Sequence, residues 1–161
     1  MPEQRAFYDR YCAHFRKPRP AGVEAQDVRF GGIACRHYQP KGATGLPLLV
    51  YLHGGGFVLG GLDSHDDVCA EICDAARIEV VAVDYRMGPE HHFSAAVDDC
   101  LAATRWVRDH AAELGVDASR LAVGGDSAGG NLAAAVALKA RDEAGPRIAC
   151  QVLVYPATQY G

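Results

Sequence analysis

Basic charge is scarce in this sequence. Sixteen Lys and Arg face 20 Asp and Glu, a net charge of −4 that leaves no electrostatic footprint for nucleic acid. The one basic stretch, Arg16-Lys17-Pro18-Arg19-Pro20, is short and proline-broken, and reads as a solvated loop. Long apolar runs are missing too. None approaches the roughly 20 residues that cross a bilayer, so no membrane span is expected. Met1 to Arg10 is polar where a secretory leader would be apolar, so the expectation is a soluble, cytoplasmic chain. The six cysteines (Cys12, Cys35, Cys69, Cys73, Cys100 and Cys150) match no small disulfide scaffold. Cys69 and Cys73 lie one helical turn apart, without the His or second Cys pair that would complete a metal site. Free thiols are expected, with no metal and no cofactor. Internal repeats and low-complexity segments are absent. No histidine occurs after His110.

What is present is the material of one ordinary domain: 161 residues, 49% of them apolar, enough for a core. Pro2 to Phe15 reads as a short amphipathic helix with Phe7, Tyr8, Tyr11 and Phe15 at helical spacing, ended by Pro18 and Pro20. Alternation around Gly31-Gly32, between Val23 and Gln39, predicts a hairpin. Leu46 to Leu52 is a continuous apolar run, the pattern of a strand buried on both faces. Further strands are expected at Ile78–Tyr85, Leu121–Gly124 and Ile148–Tyr155. Helices are expected at Asp63–Ala76, capped by Asp63 or Ser64, at Ala95–Leu114, stopped by Gly115, and after Ser127. Strands and helices alternating at this rhythm imply an α/β fold with a mostly parallel sheet, whose ligands bind at the carboxyl ends of the strands.

Two glycine-rich segments fall at such ends. In Gly124-Gly125-Asp126-Ser127-Ala128-Gly129-Gly130 a strand, a tight turn carrying one serine and a helix follow one another, the context that gives G-x-S-x-G its chemical meaning. Side chains two residues either side of the serine would collide with neighbouring backbone, hence Gly125 and Gly129. Ser127 is the candidate nucleophile, and the Ala128 amide lies at a helix N-terminus, free to bind negative charge. His53-Gly54-Gly55-Gly56-Phe57 lets the backbone turn its N–H groups inward. The amides of Gly55, Gly56 and Ala128 would form an oxyanion hole, with Gly54 a further candidate donor. Nucleotide binding at Gly54–Gly56 is the competing reading. Leu59 stands where a dinucleotide fingerprint needs its third glycine, and no G-K-[ST] follows for a P-loop. Other polar groups have plainer explanations. His91-His92 reads as structural or solvated, His65-Asp66-Asp67 as a helix start whose acids complement the dipole, and Asp84-Tyr85-Arg86 as a loop anchor. Asp126, beside Ser127, points elsewhere and cannot hold a triad histidine.

His53-Gly54-Gly55-Gly56-Phe57, Asp84-Tyr85-Arg86-Met87-Gly88-Pro89-Glu90-His91 and Gly125-Asp126-Ser127-Ala128-Gly129-Gly130 resemble the hormone-sensitive-lipase-like family of α/β-hydrolase esterases, from about residue 20 to 161. Met87-Gly88 replaces that family's usual Leu-Ala. The resemblance implies a partial α/β-hydrolase fold with an N-terminal antiparallel hairpin, helices on both faces of the sheet, and the C-terminal strands absent. Residues 1–22 would be a cap segment, and 23–161 the N-terminal half of the catalytic domain. It implies a carboxylesterase for short- to medium-chain acyl esters, with Ser127 as nucleophile and Gly55, Gly56 and Ala128 as oxyanion donors. The family's acid and histidine follow the serine, yet only Asp142 and Glu143 are acidic after Ser127, and all seven histidines precede it. The chain alone is therefore expected to be inactive or very weak. A second polypeptide would complete the fold, or the chain would associate through its exposed last strand. The alternative on the same scaffold is a catalytically inactive small-molecule-binding protein, as in the plant gibberellin receptors that resemble this family.

Overall fold

The computed structural model describes residues 1–158; the last three residues of the 23–161 unit lie outside the described residues. The elements are α1 (Pro2–Phe15), β1 (Val23–Phe30), β2 (Ile33–Pro40), β3 (Leu46–Leu52), α2 (Asp66–Ala76), β4 (Glu79–Val83), α3 (Ala95–Asp109), α4 (Ala111–Leu114), β5 (Val116–Asp126), α5 (Ala128–Asp142) and β6 (Cys150–Val154). The strands form one sheet in the order β1-β2-β4-β3-β5-β6. Its pairs β3·β4, β3·β5 and β5·β6 are parallel, and β1·β2 and β2·β4 antiparallel. The expected hairpin turns at Gly31 and Gly32, whose φ values of 59° and 84° suit the twist of a two-residue connection.

The apolar runs of β3 and β4 divide between two faces. Leu48, Val50, Leu52, Val81 and Val83 join Val97, Leu101, Val107, Leu132 and Val136 of α3 and α5 in one core. Leu49, Tyr51, Val80 and Ala82 join Cys69, Ala70 and Cys73 of α2 in the other. All six cysteines are free. Burial pushes the Cys35 and Cys73 thiols up to about 12, and Cys69 and Cys100 rise for the same reason, so these four behave as small core hydrophobes. Among the described residues no helix is long and apolar enough to cross a membrane.

Four sequence expectations need correction. The basic stretch 16–20 is not simply solvated. Arg19 makes a two-pronged ion pair with Asp66, Lys17 pairs with Glu71, and the Lys17 amide donates to Asp67. Asp66 and Asp67 therefore do more than complement a helix dipole. Asp66, with a side chain 7% exposed, also accepts from Arg36 and the Tyr38 hydroxyl, so one carboxylate ties the N-terminal segment and β2 to α2. Burial pushes that carboxyl up, but the hydrogen bonds from Arg19, Tyr38 and Arg36 outweigh it and hold the pKa below the ordinary value.

The second correction concerns the N-cap of α2, which is His65 rather than Asp63 or Ser64. No side chain caps it, because the Ser64 hydroxyl is bound to Gly61 instead. The third is the helix expected over Ala95–Leu114, which breaks at His110. There the ring stacks on Trp106, itself stacked on Phe30, and both the His110 amide and ring Nδ1 reach the Trp106 carbonyl. The fourth is β5, which extends beyond Leu121–Gly124 on both sides. Asp117 to Arg120 interrupt its ladder as a turn held by the Asp117 carboxylate. β6 has the sequence of a buried strand, yet as the sheet's edge it is exposed throughout.

Candidate active site

β3 and β5 are neighbours in register, with Leu52 opposite Gly125, so the segments leaving their carboxyl ends lie side by side. Ser127 sits between β5 and α5 with φ 52° and ψ −116°, a backbone conformation that a non-glycine residue adopts only when its surroundings enforce it. The enforcement is close packing. A Cβ on Gly125 would lie 2.1 Å from the Leu52 carbonyl oxygen, and one on Gly129 would lie 1.9 Å from it. The turn is also braced from β6: the Ser127 amide donates to Val154 O at 2.9 Å, and Asn131 Nδ2 to Ala157 O at 2.7 Å.

Across from the serine, the three glycines do not behave alike. The Gly54 amide donates to Asp126 Oδ1 at 3.0 Å, so it is committed and not open to a ligand. Gly55 and Gly56 have φ of 123° and 62°, and a Cβ on Gly55 would meet the Leu59 carbonyl oxygen at 2.1 Å. The amides of Gly55, Gly56 and Ala128 donate to no backbone acceptor among the described residues, and Gly56 is exposed. Ser127, the Gly55 and Gly56 amides and the N-terminus of α5 therefore share one end of the sheet. Beside them is a cavity of about 370 Å³, walled by Phe57, Val58, Val97, Leu132 and Ala135, with Asn131 at its edge.

Four of the histidines are engaged elsewhere. His37 pairs with Glu79, His110 bonds the Trp106 carbonyl, and His65 lies between Ser64 Oγ at 2.8 Å and Asp126 Oδ1 at 3.3 Å. His53 is buried, stacked on Tyr85, with Nδ1 2.8 Å from the Gly54 carbonyl oxygen and Nε2 without a partner among the described residues. None of these bonds reaches Ser127. His91 and His92 are exposed, in keeping with a solvated loop, though both border the cavity. Arg86 clasps Asp99 and the Tyr85 hydroxyl donates to the His53 carbonyl, which makes 84–86 the anchor expected. No three His, Cys, Asp or Glu side chains gather as a metal set among the described residues.

Asp126 does point away from Ser127, but it holds a histidine, His65, together with Tyr51 and Gly54. Sequence reasoning missed that arrangement. It also missed Arg5, whose guanidinium bonds the carbonyls of Val58 and Gly88 and the Glu90 carboxylate, seating α1 against the glycine loop.

Residues 49–160 match the sequence pattern of the alpha/beta hydrolase fold. The chain belongs to the α/β-hydrolase family. Its relatives place it in the hormone-sensitive-lipase-like esterase branch. It is 52% identical over 140 residues to carboxylesterase NlhH of Mycobacterium tuberculosis, covering 84% of this chain and 44% of that protein. Esterase LipI of the same organism is 49% identical over 137 residues, covering 83% and 43%. Among solved structures, an esterase of Pyrobaculum calidifontis superposes with a TM-score of 0.90 at 43% identity, covering 97% of this chain and 53% of that one. A bacterial heroin esterase superposes at 0.91 and 40% identity, covering 96% and 51%. The chain thus spans a little under half the length of these curated relatives, which are carboxylic ester hydrolases, and about half of the solved structures. Within this α/β hydrolase the six strands form the mostly parallel sheet and N-terminal antiparallel pair of a partial hydrolase fold.

Proposed function

We propose that this chain carries the nucleophile and oxyanion hole of a serine carboxylesterase for short- to medium-chain acyl esters. The observation that carries the reading is the pairing of Ser127, on its enforced turn, with the open amides of Gly55, Gly56 and Ala128. Ser127 Oγ attacks the ester carbonyl and loses its proton to a histidine base. The carbonyl oxygen becomes an oxyanion that accepts from the three amides. Collapse of the tetrahedral intermediate expels the alcohol, reprotonated by the same histidine, and leaves an acyl group on Ser127, which water then removes. Each amide donor contributes on the order of 2.7–4 kcal/mol to the transition state. Gly54 is not among them, since its proton is already taken. The apolar cavity beside Phe57 gives an acyl chain somewhere to lie, which supports the substrate class.

The base and its acid are supplied from outside these residues, by a second polypeptide or by chain that continues the fold, and residues 1–22 serve as part of a cap. Alone, the chain retains at most the rate that binding and an oxyanion hole provide, about 10³–10⁴-fold over water in triad knock-outs. The exposed apolar edge at Val152, Leu153, Val154 and Tyr155 is where completion, or self-association, takes place.

Mixing the 161-residue chain with the C-terminal half of a relative such as NlhH is expected to yield a complex that hydrolyses p-nitrophenyl butyrate. Ser127→Ala should remove that activity. A complex that forms, by size-exclusion chromatography, yet hydrolyses nothing would replace this reading with that of a non-hydrolytic binding protein.

A further inference from the structure

We propose that Asp126 is a positioning residue that pins the glycine loop to the serine turn, and that Gly54 exists to admit this carboxylate rather than to bind the oxyanion. The catalytic part of the proposal rests on the esterase reading above; the pin itself does not.

Three groups converge on one oxygen, Asp126 Oδ1. They are the Tyr51 hydroxyl on β3 at 2.8 Å, the Gly54 amide at 3.0 Å and His65 Nε2 before α2 at 3.3 Å. The other ring nitrogen of His65, Nδ1, lies 2.8 Å from Ser64 Oγ, which itself accepts from the Gly61 amide and donates to the Gly61 carbonyl. The second oxygen, Oδ2, fills the space that a side chain on residue 54 would need, for a Cβ there would lie only 2.1 Å from it. Any residue but glycine would push the loop off the carboxylate. Burial raises the Asp126 carboxyl, but hydrogen bonds from His65, Tyr51 and Gly54 prevail and keep it below its ordinary value, as an acceptor of this kind requires.

Asp126 immediately precedes Ser127, and Gly54 immediately precedes Gly55. The pin therefore sets the distance between the nucleophile and the Gly55 donor by a bond one residue removed from each, with Gly56 one residue further on. Such distances matter steeply, as a displacement of about 1 Å at a reacting centre costs on the order of 10²-fold in rate.

Amide hydrogen exchange on the 161-residue chain tests the pin without any catalysis. Asp126→Ala should speed exchange at the Gly54 amide, and at the Val58 and Leu59 amides that close the loop on the Gly55 carbonyl, by roughly 10- to 100-fold, the range for losing a hydrogen bond to a charged acceptor. The β1–β2 hairpin and α3 should keep their protection. Asp126→Asn, which keeps an acceptor oxygen and guards against a variant that fails to fold, should restore part of the loss. Gly54→Ala should loosen the same loop in the wild-type background and do less added harm beside Asp126→Ala. Unchanged loop exchange in both Asp126 variants, or equal acceleration in every element, overturns the proposal.

In the complex with a C-terminal half, Asp126→Asn and Asp126→Ala should lower the maximal rate of fluorophosphonate labelling of Ser127. The concentration giving half that rate should stay fixed, a split that mere loss of stability would not produce. An equal fall through binding alone contradicts the positioning role. If wild-type Ser127 takes no label at all, the esterase reading fails, while the exchange pattern still decides the pin.

Discussion

Replacing Gly129 by alanine is expected to leave the chain without a stable fold. The added methyl would stand 1.9 Å from the Leu52 carbonyl oxygen, 2.5 Å from its carbon and 2.7 Å from the His53 carbonyl oxygen. All three atoms are backbone, so no side chain can swing aside. Leu52 is also the last residue of β3 and is paired with Gly125 on one side and Val83 on the other. Relief requires α5 to lift off the central strands, which would open the core made by Leu132, Ala133 and Val136. Overpacking of this kind costs about 3 kcal/mol or more, a large part of a small domain's whole stability. Gly56 is the control. It has a positive φ but, among the described residues, nothing within 4 Å of its would-be Cβ, so Gly56→Ala should cost only about 1–2 kcal/mol. Urea denaturation followed by circular dichroism reads both. A Gly129→Ala midpoint equal to that of the wild type would mean that the turn is looser than its geometry implies.

The second large effect is acid destabilisation through His53. Its ring is 3% exposed, stacked on Tyr85, with Nδ1–H donating to the Gly54 carbonyl and Nε2 facing no acceptor among the described residues. A proton added at Nε2 would be buried without a partner, so burial lowers the His53 pKa to about 4 from an ordinary 6.5. The sign follows directly. Above pH 6.5 the ring is neutral in both folded and unfolded chains and makes no difference. Between 6.5 and 4 the unfolded chain takes up the proton and the folded one does not, so stability falls as pH falls. The loss is about 1.4 kcal/mol per pH unit, reaching about 3 kcal/mol near pH 4. Unfolding midpoints between pH 7.5 and 4.5 measure it, and His53→Gln should flatten that slope. Equal slopes in the two proteins would assign the acid sensitivity to another group.

How far the sequence revealed this molecule depended on how local each cause was. β3 could be drawn to the residue because Leu46–Leu52 is one apolar run between polar loops. The serine turn was equally legible, since strand, glycines and helix lie within a dozen residues, and the glycines meet the backbone clashes expected of them. The contacts that fix the site are of another kind. Arg19 meets Asp66 across 47 residues, and Gly54 meets Asp126 across 72. Nothing in the spacing of either pair announces it. Reading Arg16–Pro20 as solvated failed for that reason, because its acidic partners on α2 adjoin it only after folding. The break at His110 was hidden because the aromatic stack at that point draws in Phe30 from the distant hairpin. The role of Gly54 needed the carboxylate seen in place, since three consecutive glycines look alike as letters but meet different atoms.

The central claim is that Ser127 is a nucleophile facing an oxyanion hole, and labelling by a fluorophosphonate followed by peptide mass spectrometry tests it most directly. The 161-residue chain should be modified slowly or not at all by itself. In complex with the C-terminal half of a relative it should gain one phosphonyl group, on the peptide containing Ser127, and Ser127→Ala should gain none. A complex that forms but stays unlabelled, or carries its label on Ser64, Ser94 or Ser119, would contradict it.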